Sequence, residues 1–180
     1  MLTTEEKDII ALIEKDSNSG FRLLLQTYQK PIYYHIRQMV YNHQDADDIT
    51  QNTFIKVYKN LSGFKKESKL FSWIYRIATN EALNFLKAQA SKKNVSMDEV
   101  ALHLSSNLES DAFFDADAAE LQLQKAVASL PEKQRLVFQM KYFEEMTYEE
   151  ISEILETSVG ALKASFHHAR KKVEEFVQSH

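Results

Sequence analysis

The scarcity of turn-forming residues constrains the fold of this chain more than any other feature of its sequence. Only three glycines and two prolines occur in 180 residues. Hairpins and tight turns depend on these residue types, so a β-sandwich or a β-barrel would lack the turns that it needs. The sequence therefore predicts an all-α fold. The length and the apolar content of 44% suit one ordinary domain or two small ones, each with its own core.

Composition also excludes several classes of protein. The chain has no cysteine, which rules out a disulfide framework and a thiolate zinc site and suits a reducing compartment. No apolar run approaches the ~20 residues that a membrane-spanning helix needs, and the acidic start of the chain lacks the basic flank of a signal peptide. We therefore expect a cytoplasmic protein without membrane insertion. No glycine-rich phosphate loop, nucleophile motif or metal-ligand cluster is recognisable, so we expect no enzyme, no cofactor and no bound metal.

Charge and periodicity divide the chain into two helical parts and a connector. Between about Ser91 and Asp117 the helical periodicity is lost and serines gather among acidic residues, so we interpret residues 91–117 as an acidic linker. Its apolar residues could also dock on a neighbouring surface. The domains would then span 1–90 and 118–180. Periodicity predicts helices at about 4–15, 20–41, 46–61 and 69–88, and then at 118–129, 132–142, 148–155 and 159–177.

Local signals mark several of these helix starts. Asp45, Ser68, Thr147 and Ser158 each stand just before a periodic run, where an N-cap residue is expected, and Thr147 to Glu150 has the spacing of a capping box. Pro31 lies inside one apolar pattern. Because proline lacks the backbone N–H that a helix interior needs, we expect a kink or a break there.

The last two helices predict a helix-turn-helix between Thr147 and Lys172. The helix after Ser158 has one apolar stripe, and only Glu156-Thr157 separates it from the helix before it, so the two must cross steeply. The opposite face of the second helix would enter a DNA major groove, although from composition alone a solvated surface remains the alternative. His167 and His168 point about 100° apart, which argues against a metal site. The exposed face is led by Gly160, Lys163, Ala164, His167, His168 and Lys171.

Two surfaces of the N-terminal part also carry unusual side chains. Ile55 stands among polar residues on the outer face of its helix, which could make it an anchor for a protein partner or simply an ordinary exposed isoleucine. In the helix after Ser68, Trp73 borders a polar face that carries Ser72, Arg76 and Asn80. Aromatic and basic residues together could stack on unpaired bases and hold their phosphates, although these residues alone favour a role for the aromatics in the core.

Taken in chain order, these motifs resemble those of the extracytoplasmic-function (ECF) group of bacterial RNA polymerase sigma factors, in the sigma-70 family. The resemblance rests on Asp45–Phe54, Phe71–Asn80, Leu130-Pro131 and the C-terminal helix pair. It implies two small helical domains, named sigma-2 and sigma-4, that bind core RNA polymerase. Sigma-2 would melt and read the promoter −10 element and sigma-4 would read the −35 element. The implied partners are the β′ clamp helices and the β flap of the polymerase, promoter DNA and a controlling anti-sigma factor.

The resemblance also assigns roles by position in the motifs. The implied polymerase-binding residues are Asp47, Asp48, Gln51 and Ile55. The residues implied to engage the −10 strand are Lys69, Trp73, Arg76, Asn80 and Asn84. The residues implied to engage the −35 element are Ser158, Gly160, Lys163, His167, Arg170 and Lys171.

The recognition helix departs from the family pattern. The family often has several cations after Val159-Gly160, and this chain lacks two of them. We therefore expect a smaller contribution from phosphate contacts. Two alternatives stay open at this point. One is a conventional helix-turn-helix regulator that acts without polymerase, and the other is a helical adaptor that has lost DNA reading.

Overall fold

Nine α-helices make up most of the part of the chain that the structure describes, and they confirm the expected all-α class. The computed structural model describes residues 3–115 and 117–180; Met1, Leu2 and Ala116 lie outside the described residues. Within the described ranges there is no β-strand, and no helix is both long and apolar enough to cross a membrane. The helices are α1 (Thr4–Lys15), α2 (Ser17–Val40), α3 (His43–Asn60), α4 (Leu70–Lys93), α5 (Met97–Ser105), α6 (Ala118–Ala128), α7 (Glu132–Phe138), α8 (Tyr148–Leu155) and α9 (Val159–Ser179).

The predicted N-caps are right for α8 and α9 and wrong for α3 and α4. The Thr147 hydroxyl accepts from the backbone N–H of Glu150 at 3.2 Å while the Glu150 carboxylate accepts from the N–H of Thr147 at 2.9 Å, which is the predicted capping box. The Ser158 hydroxyl caps α9 by accepting from the backbone N–H of Ala161 at 3.3 Å, without a reciprocal bond. Helix α3 begins three residues earlier than Asp45 suggested, because the Asn42 side chain accepts from the N–H of Asp45 at 2.9 Å.

Helix α4 is capped by a residue that is distant in sequence. Lys69, not Ser68, stands at its N-cap, and the Lys69 side chain makes no capping hydrogen bond. The buried carboxylate of Glu6, in α1, accepts from the N–H of Phe71 at 2.9 Å instead. A local sequence signal cannot reveal this cap, because α1 supplies it across the tertiary fold.

Helix α2 continues through Pro31, so of the expected kink or break the break is wrong. Tyr28 before the proline and Ile32 after it are both buried in the same apolar core. Tertiary packing on both sides of Pro31 therefore holds one continuous helix, although proline removes a backbone hydrogen-bond donor.

The connector between Val100 and Phe114 packs against both parts of the chain. Val100 of α5 contacts the end of α4, while Ala101 of α5 and Leu108 of the following 3-10 turn pack with Tyr41 and Ala128. Farther along, Asp111 forms an ion pair with Arg37 of α2, and the ring of Phe113 stacks on His43 at 3.8 Å. The apolar residues of this segment therefore dock on the helices around them.

The N-terminal and C-terminal helices share one apolar core. Leu136, Met140 and Ile151 from the C-terminal part join the buried cluster that α1 to α4 build around Ile32 and Ile36. A smaller cluster around Phe138 and Val173 holds α6, α7 and α9 together. Polar contacts cross the same boundary: the Gln139 amide donates to the backbone oxygen of Gln38 at 2.8 Å. The two parts therefore pack together in this structure.

A close crossing of α1 and α2 predicts that Gly20→Ala destabilises the fold. A Cβ at Gly20 would lie 2.5 Å from the backbone of Ile13. Such overpacking costs about 1–3 kcal/mol, more than the gain of up to ~1 kcal/mol from replacing glycine in a helix. Urea unfolding followed by circular dichroism measures the difference. Gly160→Ala is the matched control, because a Cβ there meets nothing within 4 Å, so its unfolding free energy should stay equal or rise. Unchanged stability of Gly20→Ala would contradict the prediction.

Burial of Tyr41 predicts a specific loss of stability at alkaline pH. Burial raises the pKa of Tyr41 to about 12 from its ordinary value of 10.0. The unfolded chain loses this proton first, so the stabilisation is complete below pH ~10 and is lost as the pH rises towards 12. Tyr41→Phe should therefore reduce the drop in unfolding free energy between pH 9 and pH 11 by about 1.4 kcal/mol.

Urea titrations at the two pH values measure this effect. The substitution removes only a long 3.4 Å hydrogen bond from Gln139, which keeps its bond to Gln38. Tyr142→Phe removes an exposed phenol and serves as the control. An equal alkaline loss in the wild type and Tyr41→Phe would refute the assignment.

Candidate functional site

An apolar groove lies between α2 and α3. It encloses about 510 Å³, and three of the residues singled out from the sequence line it, namely Asp47, Gln51 and Ile55. Asp48 is exposed on the same helix but does not line the groove. The side chain of Ile55 is 52% exposed, as its place among polar neighbours predicted.

The α2 side of this groove was not predicted from the sequence. Phe21 and Leu25 of α2 line it together with Phe54 and Tyr58 of α3. The rings of Phe21 and Tyr58 meet edge to face, with their centroids 5.0 Å apart. The four-residue spacing of Phe21 and Leu25 is a signal that could have placed both on one face of α2.

Polar side chains surround the groove. The Gln51 amide donates to the Asp47 carboxylate at 3.0 Å, which fixes the orientation of both on the rim. Nearby, burial and the neighbouring charge of Asp48 raise the pKa of Asp45. An apolar floor with an ordered polar rim is the arrangement that binds an amphipathic helix of another protein.

The polar face of α4 holds the second set of predicted residues. Trp73 is half-buried and rests against Phe64, with ring centroids 5.1 Å apart. Asn80 and Asn84 are exposed one turn apart on the same helix. Ser72, which the sequence placed on this face, is fully buried.

Helix α8 covers the first part of this α4 face. The Ser72 hydroxyl donates to the Glu153 carboxylate at 2.6 Å, and the Arg76 guanidinium donates to the backbone oxygen of Glu153 at 2.6 Å. Arg76 also lies 3.6 Å from the carboxylate of Glu156, and Lys69 lies 3.8 Å from that of Glu150. The two cations predicted to hold a nucleic-acid strand are thus engaged by acidic residues of the same chain.

The third set of predicted residues, from Ser158 to Lys171, lies on the outer face of α9. Ser158 caps the helix, and all six predicted residues of this set are exposed. Arg170 and Lys171 pair with Glu174 and Glu175 one turn later, at 2.8 and 4.0 Å. The ammonium of Lys163 lies 5.8 Å from the centre of the Tyr148 ring and, within residues 3–115 and 117–180, has no carboxylate within 4 Å. The face is accessible but carries little net positive charge.

Helices α8 and α9 form the predicted helix-turn-helix. Glu156 ends α8 in the left-handed region at φ 53°, and Ser158 already caps α9. Ile151 and Ile154 of α8 and Leu162 of α9 are buried at the crossing. The short Glu156-Thr157 connection in the sequence predicted this tight turn. At the left-handed position the turn has Glu156, where glycine is the commoner residue.

Metal ligation finds no support in the part of the chain that the structure describes. Within residues 3–115 and 117–180, no group of three or more histidine, cysteine or acidic side chains could hold a metal ion. The rings of His167 and His168 lie 5.8 Å apart between their centroids. Both histidines are therefore free to contact another molecule from the exposed face of α9.

Comparison with known proteins shows which family contains the groove, the α4 face and the helix-turn-helix in one chain. The model of sigma-70 region 2 matches residues 24–92, and that of sigma-70 region 4 matches residues 120–173. The ECF RNA polymerase sigma factor SigW of Bacillus subtilis is 32% identical over 179 residues, which cover 94% of this chain and 95% of that protein. The chain belongs to the ECF group of RNA polymerase sigma factors. The region 2 match contains the α4 face and every groove-lining residue except Phe21, and the region 4 match contains the helix-turn-helix.

Other relatives of this sigma factor carry names of the same kind. RNA polymerase sigma-H factor of Pseudomonas aeruginosa is 28% identical, with 99% of this chain and 97% of that protein covered. ECF RNA polymerase sigma-E factor of Escherichia coli K12 is 29% identical, with 94% and 93% covered. The relatives are thus transcription factors that span the whole length of the chain, and the sigma factor described here is a transcription initiation factor.

Solved structures have the same fold. CnrH, in complex with the cytosolic domain of CnrY, superposes with a TM-score of 0.73 at 18% identity, covering 97% of this chain and 98% of that one. The sigma factor RpoE of Bartonella quintana, in complex with the anti-sigma factor NepR, gives a TM-score of 0.67 at 17% identity over 88% and 96%. At these identities the match establishes the fold of this sigma factor.

Proposed function

We propose that this sigma factor binds core RNA polymerase through the α2–α3 groove and directs it to promoters by reading a −10 and a −35 element. Residues 1–90 would act as the polymerase-binding and −10 domain, residues 118–180 as the −35 domain, and 91–117 as the connector. The single observation that carries the proposal is the open groove with Ile55 exposed at its edge. Membership of the ECF group removes the conventional helix-turn-helix regulator as an alternative.

The groove suits a polymerase helix because its floor is apolar and its rim is polar. Ile55 and Tyr58 are each at least half exposed, at 52% and 50%, so docking would remove a large apolar surface from water. Fully burying an aliphatic side chain contributes about 1.5–3 kcal/mol, so covering the exposed half of Ile55 would contribute roughly half of that. Asp47 and Gln51 would then hydrogen-bond the rim of the partner, with Asp48 adding a charge beside it. The β′ clamp helices are the proposed occupant.

The α4 face has the groups that a melted −10 strand requires. Trp73 offers an aromatic surface for stacking, and Asn80 and Asn84 can donate to and accept from base edges. Lys69 and Arg76 can hold phosphates once they are free of α8. Stacking of unpaired bases on an aromatic side chain contributes about 1–3 kcal/mol per base.

The outer face of α9 is the proposed reader of the −35 element. Ser158, Gly160 and Lys163 lie in the first turns, where a recognition helix approaches base edges and phosphates in the major groove. His167 continues this face, and Arg170 and Lys171 extend it towards the flanking phosphates. Because Arg170 and Lys171 are paired with acids in the same helix, we infer weak duplex binding by the isolated chain.

The remaining assignments follow from this role. The polymerase performs the chemistry of RNA synthesis, so the sigma factor itself needs no catalytic residue and no cofactor. It would act in the cytoplasm, together with the polymerase, and the helix-turn-helix domain would also contact the β flap. The relative RpoE was solved with an anti-sigma factor, which supports control of this chain by a partner of that kind.

Run-off transcription tests the proposal directly. Adding the purified chain to core polymerase on genomic promoter fragments should yield discrete transcripts that neither component produces alone. Core binding without any directed start site would favour the helical adaptor, for which the lightly charged recognition helix is the supporting observation. If the chain neither binds core polymerase nor directs a start site, the proposal is wrong.

A charge in the groove should abolish polymerase binding. Ile55→Glu would force a carboxylate into a desolvated apolar contact, so we expect affinity for core polymerase to fall by about a hundredfold or more. Biolayer interferometry with immobilised core enzyme measures the loss. Leu102→Glu, at a 49% exposed position of α5 outside the groove and outside the helix-turn-helix domain, introduces the same charge and should bind normally. Both variants should keep the helical circular dichroism spectrum; equal binding by Ile55→Glu and wild type would remove the groove from the interface.

A further inference from the structure

Helix α1 contributes none of the residues named in the proposed function. The match to sigma-70 region 2 begins at residue 24 and the match to region 4 at residue 120, whereas α1 spans Thr4–Lys15. The lining of the α2–α3 groove begins at Phe21, which also follows α1. Yet a side chain of α1 is bonded to the start of α4, where the proposed −10 face begins.

The carboxylate of Glu6 joins the first turns of two helices. Glu6 is only 2% exposed. Its Oε2 accepts from the backbone N–H of Thr3, at the start of α1, at 2.8 Å, and its Oε1 accepts from the N–H of Phe71, in α4, at 2.9 Å. A buried carboxylate is costly unless such donors surround it, and the positive ends of both helix dipoles stabilise its charge. Glu6 therefore ties the first turn of α4 to α1.

Helix α4 depends on this distant acceptor because it has no cap of its own. In the described part of the chain, Lys69 stands at its N-cap without a side-chain capping bond, and its first turn carries no acidic residue. The first N–H groups of a helix have no partner inside the helix. Without the Glu6 carboxylate, the Phe71 N–H would lose its acceptor and the first turn of α4 would fray more often.

The first turn of α4 holds residues that the proposed −10 face requires. The N–H of Trp73 donates to the backbone oxygen of Lys69 at 3.1 Å, and the Trp73 ring rests on Phe64, which lies before the helix. Fraying would break this backbone bond and release the side chains of Lys69 and Trp73. A side chain that is already held in place loses less conformational entropy on binding than a mobile one. Order in this turn therefore favours contact with a DNA strand.

A second contact joins α1 to the segment before α4. Glu14, near the end of α1, forms an ion pair with Lys66, whose backbone lies in the left-handed region at φ 59°. The two side chains are 60% and 48% exposed, and ion pairs at exposed sites contribute little to stability. The buried bond from Phe71 to Glu6 is therefore the main anchor.

We propose that α1 is a positioning element of the −10 reader, and that Glu6 is its positioning residue. The buried carboxylate holds the first turn of α4, so Lys69 and Trp73 are already ordered when a DNA strand arrives. The effect on DNA rests on the proposed function of α4, whereas the effect on Trp73 does not. Because the residues that line the polymerase groove lie between Phe21 and Lys59, loss of the Glu6 carboxylate should leave core binding unchanged.

Hydrogen exchange and fluorescence test the anchor in the free chain. Loss of an N-cap bond makes fraying of a helix start about fivefold more frequent, so the Trp73 amide of Glu6→Ala should exchange about fivefold faster, as followed by NMR. Trp73 is the only tryptophan in the sequence, so its emission reports this turn alone. Quenching of that emission by acrylamide should increase in Glu6→Ala.

Two further variants separate the anchor from general damage to α1. Thr3→Ala removes the hydroxyl that caps α1 and leaves the bond between Phe71 and Glu6, so its Trp73 amide should exchange as in the wild type. Glu6→Gln retains an oxygen that can accept from Phe71 and should give a smaller increase than Glu6→Ala. Circular dichroism melts verify that each variant is folded, and the glutamine variant carries the test if the alanine variant unfolds.

Promoter titration of the reconstituted holoenzyme tests the consequence for DNA. In run-off transcription, Glu6→Ala should raise the half-saturating promoter concentration about fivefold and leave the plateau near the wild-type value. A smaller folded fraction would instead lower the plateau and leave the half-saturating concentration unchanged. Biolayer interferometry should give equal affinities of Glu6→Ala and wild type for core polymerase.

Each outcome decides the proposal separately from the proposed function. Unchanged exchange and quenching at Trp73 in Glu6→Ala would overturn the anchor, even if run-off transcription succeeds. Faster exchange with an unchanged half-saturating concentration would overturn the effect on DNA. An equal increase in Thr3→Ala would assign the change to unwinding of α1 and remove Glu6 as the positioning residue. If the wild type directs no transcript while Trp73 responds to Glu6→Ala, the sigma function is rejected and the anchor stands.

Discussion

The packing of α4 is the constraint on which the rest of the structure depends. Its buried residues recur every four positions, at Leu70, Ile74, Ala78, Ala82 and Leu86. Because four residues of an α-helix turn through about 400°, the buried stripe advances by about 40° at each step. The first half of α4 therefore packs into the main core, and its end turns towards α5. One helix thus organises the N-terminal part and receives the connector.

The remaining face of α4 explains why the two parts of the chain meet where they do. Burying one side of the helix leaves Ser72 and Arg76 directed outward, and both are groups that need hydrogen-bond partners once water is excluded. Helix α8 supplies oxygen acceptors in the backbone and side chain of Glu153. The hydrogen-bond donors and cations that led us to propose this face as a nucleic-acid surface are also the groups that pair with the acidic residues of α8.

Sequence reasoning succeeded where the determining interactions are local. The caps at Thr147 and Ser158 and the outward position of Ile55 follow from spacing within one helix. It failed where a distant element decides the outcome: Glu6 caps α4 from 65 residues away, and the burial of Ser72 depends on α8. The α2 side of the groove was missed for the same reason. Phe21 and Leu25 line a groove only because α3 packs beside α2, and the sequence does not show which helices are neighbours. The resemblance to a family supplied the roles, which spacing could not.

The light charge of the recognition helix is consistent with a reader that works only in a larger assembly. Arg170 and Lys171 lie one turn before Glu174 and Glu175, so each cation is partly neutralised within α9. Every cation withdrawn from phosphate contact lowers the salt-dependent, sequence-independent part of DNA affinity. In the proposed role, base contacts and a fixed distance between the two readers would supply the selectivity, and the polymerase would set that distance. The ion pairs within α9 and those between α8 and α4 act in the same direction, because under the proposed function both would reduce contact between the free chain and DNA.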